Sequence, residues 1–181
     1  MAGSLLACQF GLAPVAHAQP VSPLYRLVDT SAQRLETADP VAAFKWINGG
    51  DITDPQRVHQ VMDAVNGDAT AHGIDAQYVA MVFTDQIDAT EAIEFTRFGQ
   101  WKFDPSSAPT TAPDLSESRS AIDGFNKTMV DEIALQWNSL HGPTCSTDLA
   151  AATDAVGADR GLDQLYRQAL SSATRSYCRT T

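Results

Sequence analysis

The chain has 181 residues, enough for one domain with a sizeable core, and a formal net charge of −10. Only 12 residues are Lys or Arg, so it lacks the basic face that nucleic-acid binding needs, while a small anion, which needs only a few inward cations, stays open as a ligand. No stretch reaches the roughly 18 apolar residues of a membrane span.

The chain opens MAGSLLACQFGLAPVAHAQP. Residues 1–18 carry no formally charged side chain and end in Ala16-His17-Ala18, an A-x-A cleavage pattern. This predicts a secretory signal peptide cut after Ala18, with residues 19–181 as one domain. No Lys or Arg precedes the apolar run, which points to a start upstream of Met1. Leu5-Leu6-Ala7-Cys8 has the look of a lipoprotein signal, but the seven residues before Cys8 leave little room for one. Cleavage would remove Cys8 and leave Cys145 and Cys178. An even pair in an exported chain predicts a disulfide closing a loop of about 34 residues, with two buried free thiols as the alternative. The four His are scattered without metal-ligand spacing.

The rest reads as all-α, about six helices with polar or Pro-rich breaks and no internal repeat. A first helical segment runs from about Ser22 to Ile47, with Leu24, Leu27, Val28, Leu35, Ala38, Ala42 and Trp46 at three- and four-residue spacings. Pro40 lies inside it and should kink it or end its first half. NGGD at 48–51 is a break. Asp54 as N-cap and Pro55 at the first helical position open a second helix, striped by Val58, Val61, Met62 and Val65 and ending near His72-Gly73. A third runs from about Asp75 to Phe103. A Pro/Ser/Thr loop at 104–114 precedes a fourth helix, from Asp114 or Ser116 to about Leu140. Two shorter helices, about 146–157 and 160–178, would form a C-terminal hairpin stapled by Cys145 and Cys178.

DATEAIEFTRF, residues 88–98, puts Thr90, Glu91 and Glu94 in the middle of an otherwise apolar helix. Thr90 and Glu94, four apart, share a face. Arg34 and Lys45 are eleven apart, about 20° around a continuous helix, so both point the same way if the Pro40 kink is mild. Arg57 follows Asp54 by three. Arg119 stands near a helix start, where the dipole gives a cation nothing, so an anion is one reason for its place. Each item also has a bland reading: Arg34 and Lys45 as solvated charges, Asp54–Arg57 as a cap with a local ion pair, Thr90 and Glu94 on an exposed face, and Arg119 paired with Glu117 or Asp123.

RLETADPVAAFKW (34–46), DQIDATEAIE (85–94), APDLSESRSAID (112–123) and LYRQALSSATRSYC (165–178) resemble, in wording and in order, the secreted all-helical chorismate mutases of mycobacteria and their relatives. The resemblance spans about Leu27 to Cys178. It implies the type II chorismate mutase fold and the rearrangement of chorismate to prephenate in aromatic amino acid metabolism. It also implies no cofactor, a site within one subunit, a homodimer, and a secreted or periplasmic location. By position, it implies that Arg34, Arg57 and Arg119 bind the two carboxylates and that Lys45 sits over the ether oxygen. Asp54 would hold the substrate hydroxyl or orient Arg57, Thr90 and Glu91 would line the site, and Glu94 would face the ether oxygen opposite Lys45. The exported subclass tends to carry a glutamine one turn after the second helix's arginine. Val61 occupies that place here, and Gln60, one residue off, does not share Arg57's face. The NGGDITD loop also differs, with an expected effect on mobility more than on chemistry. A silent exported module that binds an aromatic carboxylate or a protein partner is the alternative. A structural envelope protein is a third reading.

Overall fold

The structure is a computed structural model and describes residues 22–179. Among these there is no β-strand, and no helix is long and apolar enough to cross a membrane. The signal peptide expected over residues 1–18 lies outside the described residues.

The first segment is two helices, α1 (Tyr25–Glu36) and α2 (Ala38–Asn48). The break falls just before Pro40 for a direct reason. A proline at 40 has no N–H to offer the Glu36 carbonyl and its ring crowds that carbonyl. The chain turns at Thr37, whose N–H and Oγ1 both donate to the Arg34 carbonyl, at 3.2 and 2.7 Å. α2 ends at Gly49, whose φ of 76° is left-handed and suits glycine.

α3 (Pro55–His72) begins and ends as its sequence predicts. Asp54 Oδ1 accepts from the Arg57 N–H at 3.0 Å, Pro55 takes the first position, and Gly73 closes the helix at φ 67°. α4 (Ala76–Phe103) is capped by Asp75, which accepts from the Gln77 N–H at 2.8 Å. A short 3₁₀ turn, Pro105–Ser107, follows. α5 (Leu115–Leu135) is capped by Asp114 through the Ser116 N–H. It stops earlier than expected. The chain breaks at Gln136 and resumes as the single turn α6 (Trp137–Leu140). The break swings Leu140 into the core and sets Trp137 edge-on to Tyr78, while Leu135 is left exposed.

α7 (Cys145–Asp159) and α8 (Gln164–Ala173) form the C-terminal hairpin. α8 is shorter at both ends than the predicted 160–178. Gly161 turns the chain and Asp163 caps the new helix through the Tyr166 N–H. Past Ala173 the chain leaves the helix. Tyr177 is fully buried and its carbonyl accepts from Tyr78 Oη at 2.6 Å. Cys178 bonds to Cys145, so the predicted disulfide is present. It ties the first residue of α7 to the tail beyond α8 rather than to the end of a helix.

α1 is the central element and packs against α4, α5, α7 and α8. The predicted stripe residues Leu24, Leu27, Val28, Leu35, Ala38 and Ala42 are buried there, with Phe83, Ile93, Met129 and Leu170 from its neighbours. α1 is held to α4 by a reciprocal polar pair. Ser31 Oγ donates to Gln86 Oε1 at 2.6 Å and Gln86 Nε2 donates to the Ser31 carbonyl at 3.1 Å. Both residues are fully buried, so this pair fixes a register that apolar packing alone would leave free to slide. α2 lies along α4, braced by Trp46 against Phe98 and Trp101 with centroids 5.2 and 5.6 Å apart. The hairpin covers the far side of α1. That leaves α2, α3 and α5 to wall a pocket over the middle of α4.

Candidate active site

Every site residue named from the sequence lines this one pocket: Arg34, Lys45, Asp54, Arg57, Thr90, Glu91, Glu94 and Arg119. Apolar walls come from Val41, Ile52, Val58, Val61, Ile87 and Leu115, with Ile122 beside them. Charges thus project into a largely apolar chamber, where they act at lower effective dielectric than in water.

At the inner end, Lys45 Nζ donates to Glu94 Oε2 at 2.8 Å and to the Ile52 carbonyl at 2.7 Å. The Lys45 and Glu94 side chains are 12% and 4% exposed. The resemblance set these two residues on opposite sides of a substrate oxygen. In the structure they touch, because a buried ammonium and a buried carboxylate within reach close on each other. An ammonium has three donors. Two are used here, which leaves one without a described partner. Burial raises the Glu94 pKa above the ordinary carboxyl value, against the lowering effect of the Lys45 bond; nearby Glu91 adds to the rise.

Arg34 is buried between α4 and α5. Its Nε donates to Asn126 Oδ1 at 2.7 Å and its Nη1 to Thr90 Oγ1 at 3.1 Å. Thr90 in turn donates to the Gln86 carbonyl. Burial, with the neighbouring Arg57 charge, pushes the Arg34 pKa down to about 10.

At the outer end two ion pairs clamp α3 to α5. Arg119 Nη2 donates to Asp54 Oδ2 at 3.0 Å, and Arg57 Nη2 donates to Asp123 Oδ1 at 2.5 Å. The bland sequence pairings are therefore exchanged. Asp54 caps the Arg57 backbone but bonds the Arg119 side chain, and Asp123 serves Arg57 rather than Arg119. Asp54→Ala should cost about 1 kcal/mol by loss of the cap, whereas Asp54→Asn should keep it, since Asn caps as well as Asp. Thermal unfolding of the two variants checks this, with a Tm about 2–4 °C lower for Asp54→Ala alone.

Gln60 is exposed, whereas Val61 is buried against the pocket. The wall is apolar where the exported subclass tends to place an amide. The NGGDITD loop touches the site. Its Ile52 carbonyl holds Lys45, and Thr53 Oγ1 donates to Glu91 Oε2 at 3.1 Å. Sequence reading also missed Asn126, Ser31 and Gln86, and named Asp123 only as a partner of Arg119. Asn126 had a signal: it follows Arg119 by seven residues, two helical turns along the same face.

Fold and site together define an all-helical protein with one pocket over α4 that gathers four cations and three carboxyl groups between apolar walls. The description "Chorismate mutase type II" matches residues 25–95, which hold every site residue named above except those of α5. A protein of Mycolicibacterium smegmatis named "Secreted chorismate mutase" is 61% identical over 92% of this chain and 92% of its own length. One of Mycobacterium tuberculosis with the same name is 50% identical over 91% of this chain and 83% of its own. The crystal structure of a chorismate mutase from Burkholderia phymatum superimposes with a TM-score of 0.82 at 27% identity, covering 88% of this chain and 98% of that one. The chain belongs to the type II chorismate mutase family.

Proposed function

We propose that this protein is an exported chorismate mutase that converts chorismate to prephenate in a site made by one chain. The observation that carries the reading is the buried Lys45–Glu94 pair at the end of a pocket that also holds three arginines. Nothing observed favours the silent binding module over it.

The reaction is a [3,3] shift within one molecule: a C–O bond breaks as a C–C bond forms, and no nucleophile or metal is needed. Its barrier falls when the site holds the compact chair-like conformer and stabilises the negative charge growing on the ether oxygen. Arg34, Arg57 and Arg119 would take the two carboxylates, for which the guanidinium fork is suited. The clamps to Asp54 and Asp123 and the bond to Asn126 order these side chains before substrate arrives, which reduces the entropy lost on binding. Lys45 would direct its remaining N–H to the ether oxygen. Glu94 helps there only as a donor, so it would act protonated, which its burial favours. Thr90 would hold Arg34 in place, and Glu91, tied to the 48–54 loop through Thr53, would line the entrance.

The sign of the pH dependence follows. Activity should fall as pH rises through the raised Glu94 pKa, because the carboxylate then repels the developing oxyanion. Glu94→Gln carries a permanent N–H donor, so it should stay active with a flatter profile. Steady-state kinetics between about pH 5 and pH 8 reads this out. A wild type already flat over that range would sink the role given to Glu94. The activity itself is tested by loss of chorismate ultraviolet absorbance with oxidised residues 19–181. Export by residues 1–18 is tested by the N-terminal residue of protein recovered outside the cell, with Gln19 expected. The homodimer rests on the family resemblance, and sedimentation of the purified chain tests it.

A further inference from the structure

Three of the four cations in the pocket already bond an acidic side chain of this chain: Lys45 with Glu94, Arg57 with Asp123, and Arg119 with Asp54. Arg34 differs. It is 4% exposed, and its described partners are the neutral oxygens of Asn126 and Thr90. Arginine has no acceptor, so Asn126 must present its oxygen to it, and the amide assignment is settled by chemistry. Asn126 is itself 3% exposed and lies behind Arg34, outside the pocket lining. A buried cation without a counter-ion is costly. An aspartate in the same place would relieve that cost with almost no change in shape. It would also neutralise the charge that a substrate carboxylate is to meet.

We propose that Asn126 is a positioning residue that holds Arg34 through a neutral acceptor and so reserves the full Arg34 charge for one carboxylate of the substrate. The inference rests on the reading of the site as one for a dicarboxylate. It predicts opposite signs for stability and function, which a structural role would not give. Asn126→Asp keeps the Arg34 bond and adds an anion in direct contact, where the nearby carboxylate of Asp123 acts only from a distance and is bonded to the second cation, Arg57. The fold should gain stability while substrate affinity falls.

The experiment compares wild type, Asn126→Asp and Asn126→Leu by thermal unfolding and by chorismate kinetics. For Asn126→Asp the expected result is a Tm higher by about 2–4 °C, a KM higher by about 10–100-fold, in line with losing a charged hydrogen bond, and a much smaller change in kcat. Asn126→Leu removes the acceptor and should lower the Tm and raise KM together. A KM for Asn126→Asp within twofold of wild type overturns the proposal. So does a raised KM with a lowered Tm, since a damaged fold would then explain both. If the wild type itself fails to turn over chorismate, the proposed function falls. The Tm comparison still reports whether Arg34 lacks a counter-ion, and a Tm that does not rise in Asn126→Asp then overturns the inference.

Discussion

Lys45→Ala should lower kcat for chorismate by about 10²–10³-fold, the usual consequence of removing one preorganised donor from a developing oxyanion. The effect belongs on kcat, because the ether oxygen gains its charge only in the transition state, while the arginines hold the ground-state carboxylates. The geometry adds a second loss. Lys45 Nζ bonds both Glu94 and the Ile52 carbonyl, so alanine there releases the 48–54 loop and leaves Glu94 buried without its cation. That carboxyl will then hold its proton more strongly, and residual activity should persist to higher pH than in the wild type. A kcat within about tenfold of wild type, in protein that still unfolds cooperatively, would place the reacting oxygen elsewhere in the pocket. Lys45→Met, which keeps most of the stem, separates lost charge from lost packing.

Removing the disulfide should have the largest effect on stability. Cys145 and Cys178 are 33 apart in sequence, and the chain-entropy estimate for such a loop is about 3–4 kcal/mol. For a chain of this size that corresponds to a Tm roughly 6–16 °C lower in Cys145→Ser/Cys178→Ser, measured by thermal unfolding. The native state is affected too, since Cys178 follows the fully buried Tyr177, whose carbonyl bonds Tyr78. Without the bridge, the tail past Ala173 is held by that burial and bond and by Arg175, whose Nε donates to the buried Asp85 of α4 at 2.7 Å. Tyr177 packs in the layer that holds Ser31, and Ser31 fixes Gln86, so activity should be lost on heating before secondary structure is. A Tm within 2 °C of wild type, about the shift from 1 kcal/mol or less, would show that packing of the hairpin suffices.

Much of this architecture was legible locally. Asp54-Pro55 and His72-Gly73 bound α3 in sequence and in structure, because a cap, a proline and a left-handed glycine act within a few residues of themselves. The Pro40 break was legible for the same reason. What was misread depends on distant contacts. No proline or glycine marks Gln136, where α5 stops so that Trp137 can reach Tyr78 and Leu140 the core. The early end of α8 likewise goes with Tyr177 and the disulfide, which hold the tail off a helical course, whereas its late start follows a local signal that was overlooked, the left-handed Gly161 and the Asp163 cap.

The site divides along the same line. Residue spacing marked Thr90 and Glu94 as sharing a face. For Arg34 and Lys45 the same argument assumed a continuous helix, which breaks at Thr37, so the packing of α1 and α2 brings them together. Family resemblance supplied the reaction. By itself the sequence determined the all-helical class, the bounds of α3, the Pro40 break and which cations are available, since these follow from periodicity and from bonds spanning three or four residues. Only the tertiary structure decided the partners: Arg57 with Asp123, Arg119 with Asp54, Lys45 with the Ile52 carbonyl, and Arg34 with the uncharged Asn126. Those choices turn on how α3 and α5 dock against α4, and a hydrogen bond forms or fails over distances smaller than any spacing rule can resolve.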